Sequence, residues 1–389
     1  MLAIFTTVFI DLLGFGILIP VFPLLITDGP FRVTPDGWSF TQGMIMLGWL
    51  QAIYPFCMFI AAPILGQLSD RHGRRPVLAL SILGTAIGYV LFAIGISTGN
   101  LPLLFAARGL DGLTGGNLAV AQAAIGDIST HENRAKNFGY MGAAFGMGFI
   151  VGPYLGGKLS SPSVSFYGLF DTPHWFGATT PFWFAAILAL LNCTAVLTTF
   201  PETIKEKFHG GKIRVGQSLN NVVNGFKSDR LRVILLSSFL FSAGFTFFTT
   251  FFGVYLRNKF SFSSSKIGDY FAIVGLCIAL SQGLVVGRVA KKLVDYKVLK
   301  FSMFGTGAMM LVYFLTPTSS SMYLYMVIPF FAIFNGLCMA NTSSLISRSA
   351  EMGGKARQWE FMPACPAFLK FLPQYLLATS LRQSRRVNR

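Results

Sequence analysis

The chain has 389 residues, 53% of them hydrophobic and only 12% charged, with 40 Phe. A water-soluble domain of that length would lack the charge to cover its surface, so composition points to the bilayer as the solvent. The formal net charge of +16 raises nucleic-acid binding, and the placement of the basic residues decides against it.

In chain order, apolar runs of roughly the 20 residues that cross a bilayer fall at 2–26, 40–65, 77–97, 101–126, 135–159, 179–200, 233–256, 267–288, 298–316 and 322–346. This predicts an all-α polytopic membrane protein with about ten readable helices. The first run is too long for a signal-peptide core, lacks a basic start and a small-residue cleavage pattern, and contains Asp11, so it reads as a retained helix. Of the 31 Lys and Arg, 25 lie at 71–75, 134–136, 205–232, 288–300 and from Arg348 onward. Arg32, Lys158, Arg257, Lys259 and Lys266 fall in the alternate loops, and Arg108 falls inside a helix. That asymmetry is the positive-inside pattern, and it places the N-terminus and the long middle loop in the cytoplasm.

Six helices precede residue 201, and the polar stretch 201–232 carries seven bases and three acids. The expected organisation is an N-terminal six-helix bundle over 1–200, a cytoplasmic linker over 201–232, a partial second bundle of four helices over 233–348, and an atypical basic tail over 349–389. A shift of 221 positions lays Gly287 on Gly66, Lys292 on Arg71, and Val298 and Leu299 on Val77 and Leu78, a weak internal repeat of the kind transporters carry. Cys57, Cys193, Cys277, Cys338 and Cys365 stand alone, and His72, His131, His174 and His209 fall in loops. Neither set has metal-ligand or nucleophile spacing, so nothing here argues for a metal site or an enzyme.

Asp11 lies near the middle of the first helix, where an ionised carboxylate costs roughly 2.5 to 3.5 kcal/mol. A site that alternately meets water and apolar surroundings can take up and release a proton there. In the fourth helix, Arg108 and Asp111 are three residues apart and share a face. Gly112, Gly115, Ala119 and Gln122 continue that face, with Asn117 beside it, as small and polar residues suited to an aqueous cavity; a self-neutralising structural pair is the rival reading. In the fifth helix, Gly148, Gly152 and Gly156 at four-residue spacing bare a face for close packing, and Pro153 frees a carbonyl on it. Phe245, Phe247, Phe248, Phe251 and Phe252 crowd the seventh helix, where facing lipid is the default and lining a cavity for a hydrophobic, aromatic substrate is the alternative.

The most specific segment is the loop with Gly66, Asp70, Arg71, Gly73, Arg74 and Arg75. Gly73 permits a tight reversal, the arginines can anchor at anionic headgroups, and Asp70 can face a neighbouring helix N-terminus. This segment resembles the signature between helices two and three of the major facilitator superfamily, in which it acts as a gating loop. Phe9 to Pro20 around Asp11, the run Gly148, Gly152, Pro153, Gly156 and Gly157, and the triplet Pro201, Glu202 and Thr203 extend the resemblance to the tetracycline exporters and related drug–proton antiporters.

The resemblance implies a fold of two six-helix bundles and a secondary active transporter, a proton-coupled exporter of small amphipathic organic compounds. Asp11, Arg108 and Asp111 would line its central cavity. It implies no cofactor beyond a proton gradient, no nucleic-acid partner, and a monomer in the cell's inner (plasma) membrane. Uptake of a metabolite, or a truncated non-transporting product, are the rivals. The chain departs from the pattern at Asp111, which the exporters lack there, and at 271–287, which has no His where some exporters have a coupling His. The family has twelve helices, whereas no further apolar span follows residue 346; the expectation is a frameshift near Ala350, since reading from Glu351 two bases later can give a sequence similar to the family's passage from loop ten into helix eleven, with a real divergent tail as the alternative.

Overall fold

A computed structural model describes residues 2–27, 29–130, 134–166, 170–204, 229–286, 296–317 and 320–351. Most of the expected linker, His131, His209, the repeat loop at 287–292 and the basic tail from 352 lie outside the described residues.

The helices are α1 (Leu2–Ile26), α2 (Phe40–His72), α3 (Arg74–Ser97), α4 (Leu101–Thr114), α5 (Asn117–Ile128), α6 (Arg134–Leu159), α7 (Thr180–Thr199), α8 (Asp229–Phe260), α9 (Ser264–Ser281, continued by a π-helical turn Gln282–Val286), α10 (Tyr296–Leu315) and α11 (Met322–Glu351). The ten predicted spans correspond to these eleven helices. The fourth span breaks at Gly115 and Gly116 into α4 and α5, while α2 runs seven residues past its apolar run, to His72. Its polar end remains helical because Gln67 Nε2 and Ser69 Oγ donate to the Pro63 and Gly66 carbonyls of the same helix, at 3.0 and 2.7 Å. His72 is thus the last helical residue, not a loop residue, and Lys158 likewise stands in the last turn of α6. A two-residue antiparallel pair, β1 (Ser165–Phe166) with β2 (Phe170–Asp171), folds the loop between α6 and α7.

Among the described residues, eight helices are long and apolar enough to cross a membrane: α1, α2, α3 and α7 to α11. The α4–α5 pair is divided, and the 26-residue α6 is diluted by glycine. Large apolar side chains stand in the open along these helices, with Leu315 80%, Phe304 76% and Trp49 67% exposed. Exposure of that kind is stable only against lipid, and the protein is an integral membrane protein. On α8 the Phe run divides: Phe247 is exposed, whereas Phe248 and Phe252 are buried against Tyr313 of α10.

Contacts divide the chain into two compact units, 1–215 with Gly253–Ala272, and Gly216–Phe252 with 273–389. The end of α8 and the start of α9 thus belong with the first unit rather than with the rest of the second sequence half. Within the first unit α1 is apolar all round and correspondingly buried, with Val8, Ile17, Val21 and Leu25 fully covered. It packs most extensively on α6.

Candidate functional site

The contact of α1 with α6 is built by absent side chains. A Cβ on Gly148 would lie 2.6 Å from Leu12 Cβ, one on Gly152 would lie 2.7 Å from the Leu13 carbonyl, and one on Gly156 would lie 2.6 Å from the Ile17 carbonyl. From the other side, a Cβ on Gly16 would meet Pro153 Cδ at 2.7 Å. The expected small-residue face of the fifth span is therefore laid against the segment of α1 that carries Asp11, fixing that carboxylate's height. Gly14, on the same segment, leaves the space that the buried Tyr89 hydroxyl of α3 enters.

Inside this frame, Arg108 Nη1 donates to Asp111 Oδ2 at 3.0 Å, with side chains 5% and 7% exposed. The Tyr54 ring of α2 stacks on the guanidinium, 4.5 Å from ring centroid to Cζ. The break in the fourth span has a packing reason: a Cβ on Gly115 would lie 2.8 Å from the Tyr54 hydroxyl, and one on Gly116 would lie 3.0 Å from the Ala62 backbone. Asp11 and Asp111 are close enough to interact electrostatically with each other and with Tyr54 and Tyr89.

The cluster is short of partners. Asp11 Oδ2, Arg108 Nε and Nη2, both amide atoms of Asn117, and Gln122 Oε1 are buried and make no hydrogen bond of ordinary geometry with the described residues, although the Asn117 amide stands close enough to interact with the Asp11 carboxylate. Buried polar groups are ordinarily paired, and leaving one unpaired costs about 1–3 kcal/mol. Six such atoms, on α1, α4 and α5, mark a place where polar ligand atoms or protons can be accommodated. Tyr54 and Tyr89 complete the cluster and were not legible as members from sequence; Gly14, which gives the Tyr89 hydroxyl its space, is the one local signal that could have pointed to a close approach. Among the described residues, no group of three or more His, Cys, Asp or Glu could hold a metal ion.

The loop between α2 and α3 forms a second charged cluster. Gly73, at φ 111°, ends α2 and starts α3. Asp70 Oδ1 lies 2.7 Å from Arg74 Nη2, and Arg74 also donates to Asp127 Oδ2 at 3.0 Å and to Ser69 Oγ. Glu202 occupies the N-terminus of α3: its Oε1 accepts from Arg74 N at 2.9 Å and its Oε2 from Arg75 N at 3.3 Å. Oε1 also accepts from the Thr203 and Ile204 amides. Burial raises the Glu202 carboxyl, but the backbone amides of Arg74, Ile204, Arg75 and Thr203 outweigh it and hold the carboxyl below its usual value. Arg75 donates to the Leu197 carbonyl, and Thr203 Oγ1 to Asp127 Oδ2 at 3.2 Å. Gly66 is buried and Arg71 half-buried on α2. Asp127 was missed by the sequence reading, since its partner Arg74 is 53 residues away.

The family profile of the Major Facilitator Superfamily matches residues 4–357. The chain is 31% identical over 284 residues to a class H tetracycline resistance protein of Pasteurella multocida, covering 73% of this chain and 65% of that one. It is 33% identical over 286 residues to a class B tetracycline resistance protein of Escherichia coli, covering 73% and 64%. The chain thus spans just under two thirds of the length of these relatives. Among solved structures, the human organic anion transporter MFSD10 (TETRAN) superposes with a TM-score of 0.62 over 97% of this chain and 88% of that one, at 21% identity, a likeness of fold.

Proposed function

Because the chain belongs to the Major Facilitator Superfamily, we propose that it is a secondary active transporter that exports small amphipathic organic compounds, of the drug or tetracycline type, in exchange for protons. The observation that carries the reading is the buried, under-paired cluster of Asp11, Arg108, Asp111, Asn117 and Gln122. Arg108 is neutralised by Asp111, which leaves Asp11 as the uncompensated carboxylate of the group. Ionised and buried it is costly, and either a proton or a favourable ligand removes that cost. Binding the two in alternation at one carboxylate is the simplest way to couple their movements, with no cofactor beyond the proton gradient.

The names of the relatives support the substrate class, and the distribution of Lys and Arg supports an N-terminus in the cytoplasm. The second cluster, of Asp70, Arg74, Asp127 and Glu202, would gate the cytoplasmic end. The test is accumulation of tetracycline and of ethidium in inverted membrane vesicles. Accumulation that requires an acid interior and collapses with a protonophore is the expected result; accumulation indifferent to the gradient removes proton coupling, and none for either compound removes the substrate class.

A further inference from the structure

The hairpin formed by the end of α8 and the start of α9, residues 253–272, packs into the first unit, and its attachment to α6 has an unusual construction. Gly157 of α6 meets Gly268 of α9 backbone to backbone: a Cβ on Gly157 would lie 2.9 Å from Gly268 Cα and 2.6 Å from the Ser264 carbonyl. A Cβ on Gly268 would in turn lie 2.5 Å from the Pro153 carbonyl. On the α1 side, a Cβ on Gly253 would lie 3.0 Å from the Ile19 carbonyl. At these glycines backbone meets backbone with no side chain between them, while Leu256, Phe262, Ile267 and Tyr270 of the hairpin are buried around the contact.

The residue after Gly157 supplies a different hold. Lys158 Nζ lies 2.9 Å from Asp269 Oδ2 and 3.0 Å from Ser265 Oγ, and 5.5 Å from the centroid of the Tyr154 ring. Its side chain is 11% exposed, while that of Asp269 is 38% exposed. The pair sits in the last turn of α6 and the second turn of α9, at span ends where both groups can be hydrated once they part. An ion pair so placed is easily reversed, since the charges trade each other for water at small net cost.

We infer that Lys158 and Asp269 form a latch that holds the α8–α9 hairpin on the first unit and sets how often it opens. The Gly157–Gly268 contact fixes the register at which the latch closes. The inference rests on the proposed transport reading for its role, an opening step in the cycle, and on the positive-inside topology for its side, the external one.

The test needs no substrate. In the full chain with its native cysteines replaced, a cysteine is placed at Ile19, a buried residue beneath the hairpin, and its labelling by a membrane-impermeant maleimide added outside is timed. Lys158→Met and Asp269→Asn should each speed labelling about fivefold. The swapped pair, Lys158→Asp with Asp269→Lys, should return it to within about twofold of the starting rate, and Asp269→Glu, which keeps the charge, should do the same if the swap fails to insert. Labelling unchanged in both neutral variants, or no restoration in any variant that keeps opposite charges, overturns the latch. A chain that labels as expected yet moves no compound in vesicles would count against the proposed function and leave the latch standing.

Discussion

The two charged clusters of the first unit use similar residues to opposite ends. Around Arg74, a guanidinium meets Asp70, Asp127 and Ser69, and a nearby carboxylate, Glu202, takes four backbone amides. Around Arg108, a guanidinium meets one carboxylate and one ring, and two of its nitrogens go without. The first cluster lies where α2, α3, α5 and the segment after α7 converge, and Asp127 there is 26% exposed. The second lies within the spans, its ion pair almost fully covered. Satisfied hydrogen bonds hold a fold in one arrangement; unsatisfied ones leave room for a ligand atom or a proton. The two clusters thus differ in saturation where their composition is alike.

The largest effect should come from Asp11→Asn, which removes the titratable group with almost no change in size. Proton-driven accumulation in vesicles should be abolished while the amount of inserted protein is unchanged. Transport with the original pH dependence would show that the unpaired carboxylate is incidental and dissolve the contrast between the clusters.

Next in size is stability. Arg108→Met strands Asp111 as a buried charge, a loss of about 3–5 kcal/mol, whereas Arg108→Met with Asp111→Leu should recover most of it. The corresponding Arg74→Met leaves Asp127 near water, at 26% exposed, and the covered Asp70 only a few residues from the end of its helix, and should cost less, about 1–3 kcal/mol. Thermal unfolding of the purified variants in one detergent orders them; an Arg74 variant as damaged as the Arg108 variant would mean that the two clusters bear on the fold alike.

Much of this was legible in the sequence, and what was not has definable causes. α1 was read with its observed bounds because an all-apolar run needs only length to be recognised. The end of α2 was missed because hydropathy falls at Gln67 to His72 while helical hydrogen bonding continues. The break at Gly115 and Gly116 was read as a small-residue face, since nothing in sequence says that Tyr54 stands opposite. Glycine spacing on α6 foretold a close contact but not its partner, and Arg108 with Asp111 was found because three residues of one helix separate them. Glu202 was recognised only as part of a resemblance, and its place at the N-terminus of α3 was not read. A contact spanning 128 residues leaves no local periodicity to read.

The smallest effect should come from Glu202→Gln. The amide can keep its oxygen on the Arg74, Thr203 and Ile204 N–H groups, but its nitrogen cannot accept from Arg75, and the negative charge at the start of α3 is lost. For an exposed carboxylate at a helix N-terminus that is about 0.3–1 kcal/mol. The sign with pH follows from the lowered carboxyl. A group whose folded value lies below its unfolded one, about 4.3 for Glu, stabilises the fold fully above the unfolded value and loses that contribution as pH falls through the folded one. The gap in unfolding midpoint between the parent chain and the variant should therefore be constant near neutrality and close as pH falls from about 4. A gap that persists undiminished at low pH would assign the Glu202 contribution to packing against Gly73 rather than to charge, and would remove the amide-bound carboxylate from the clamp.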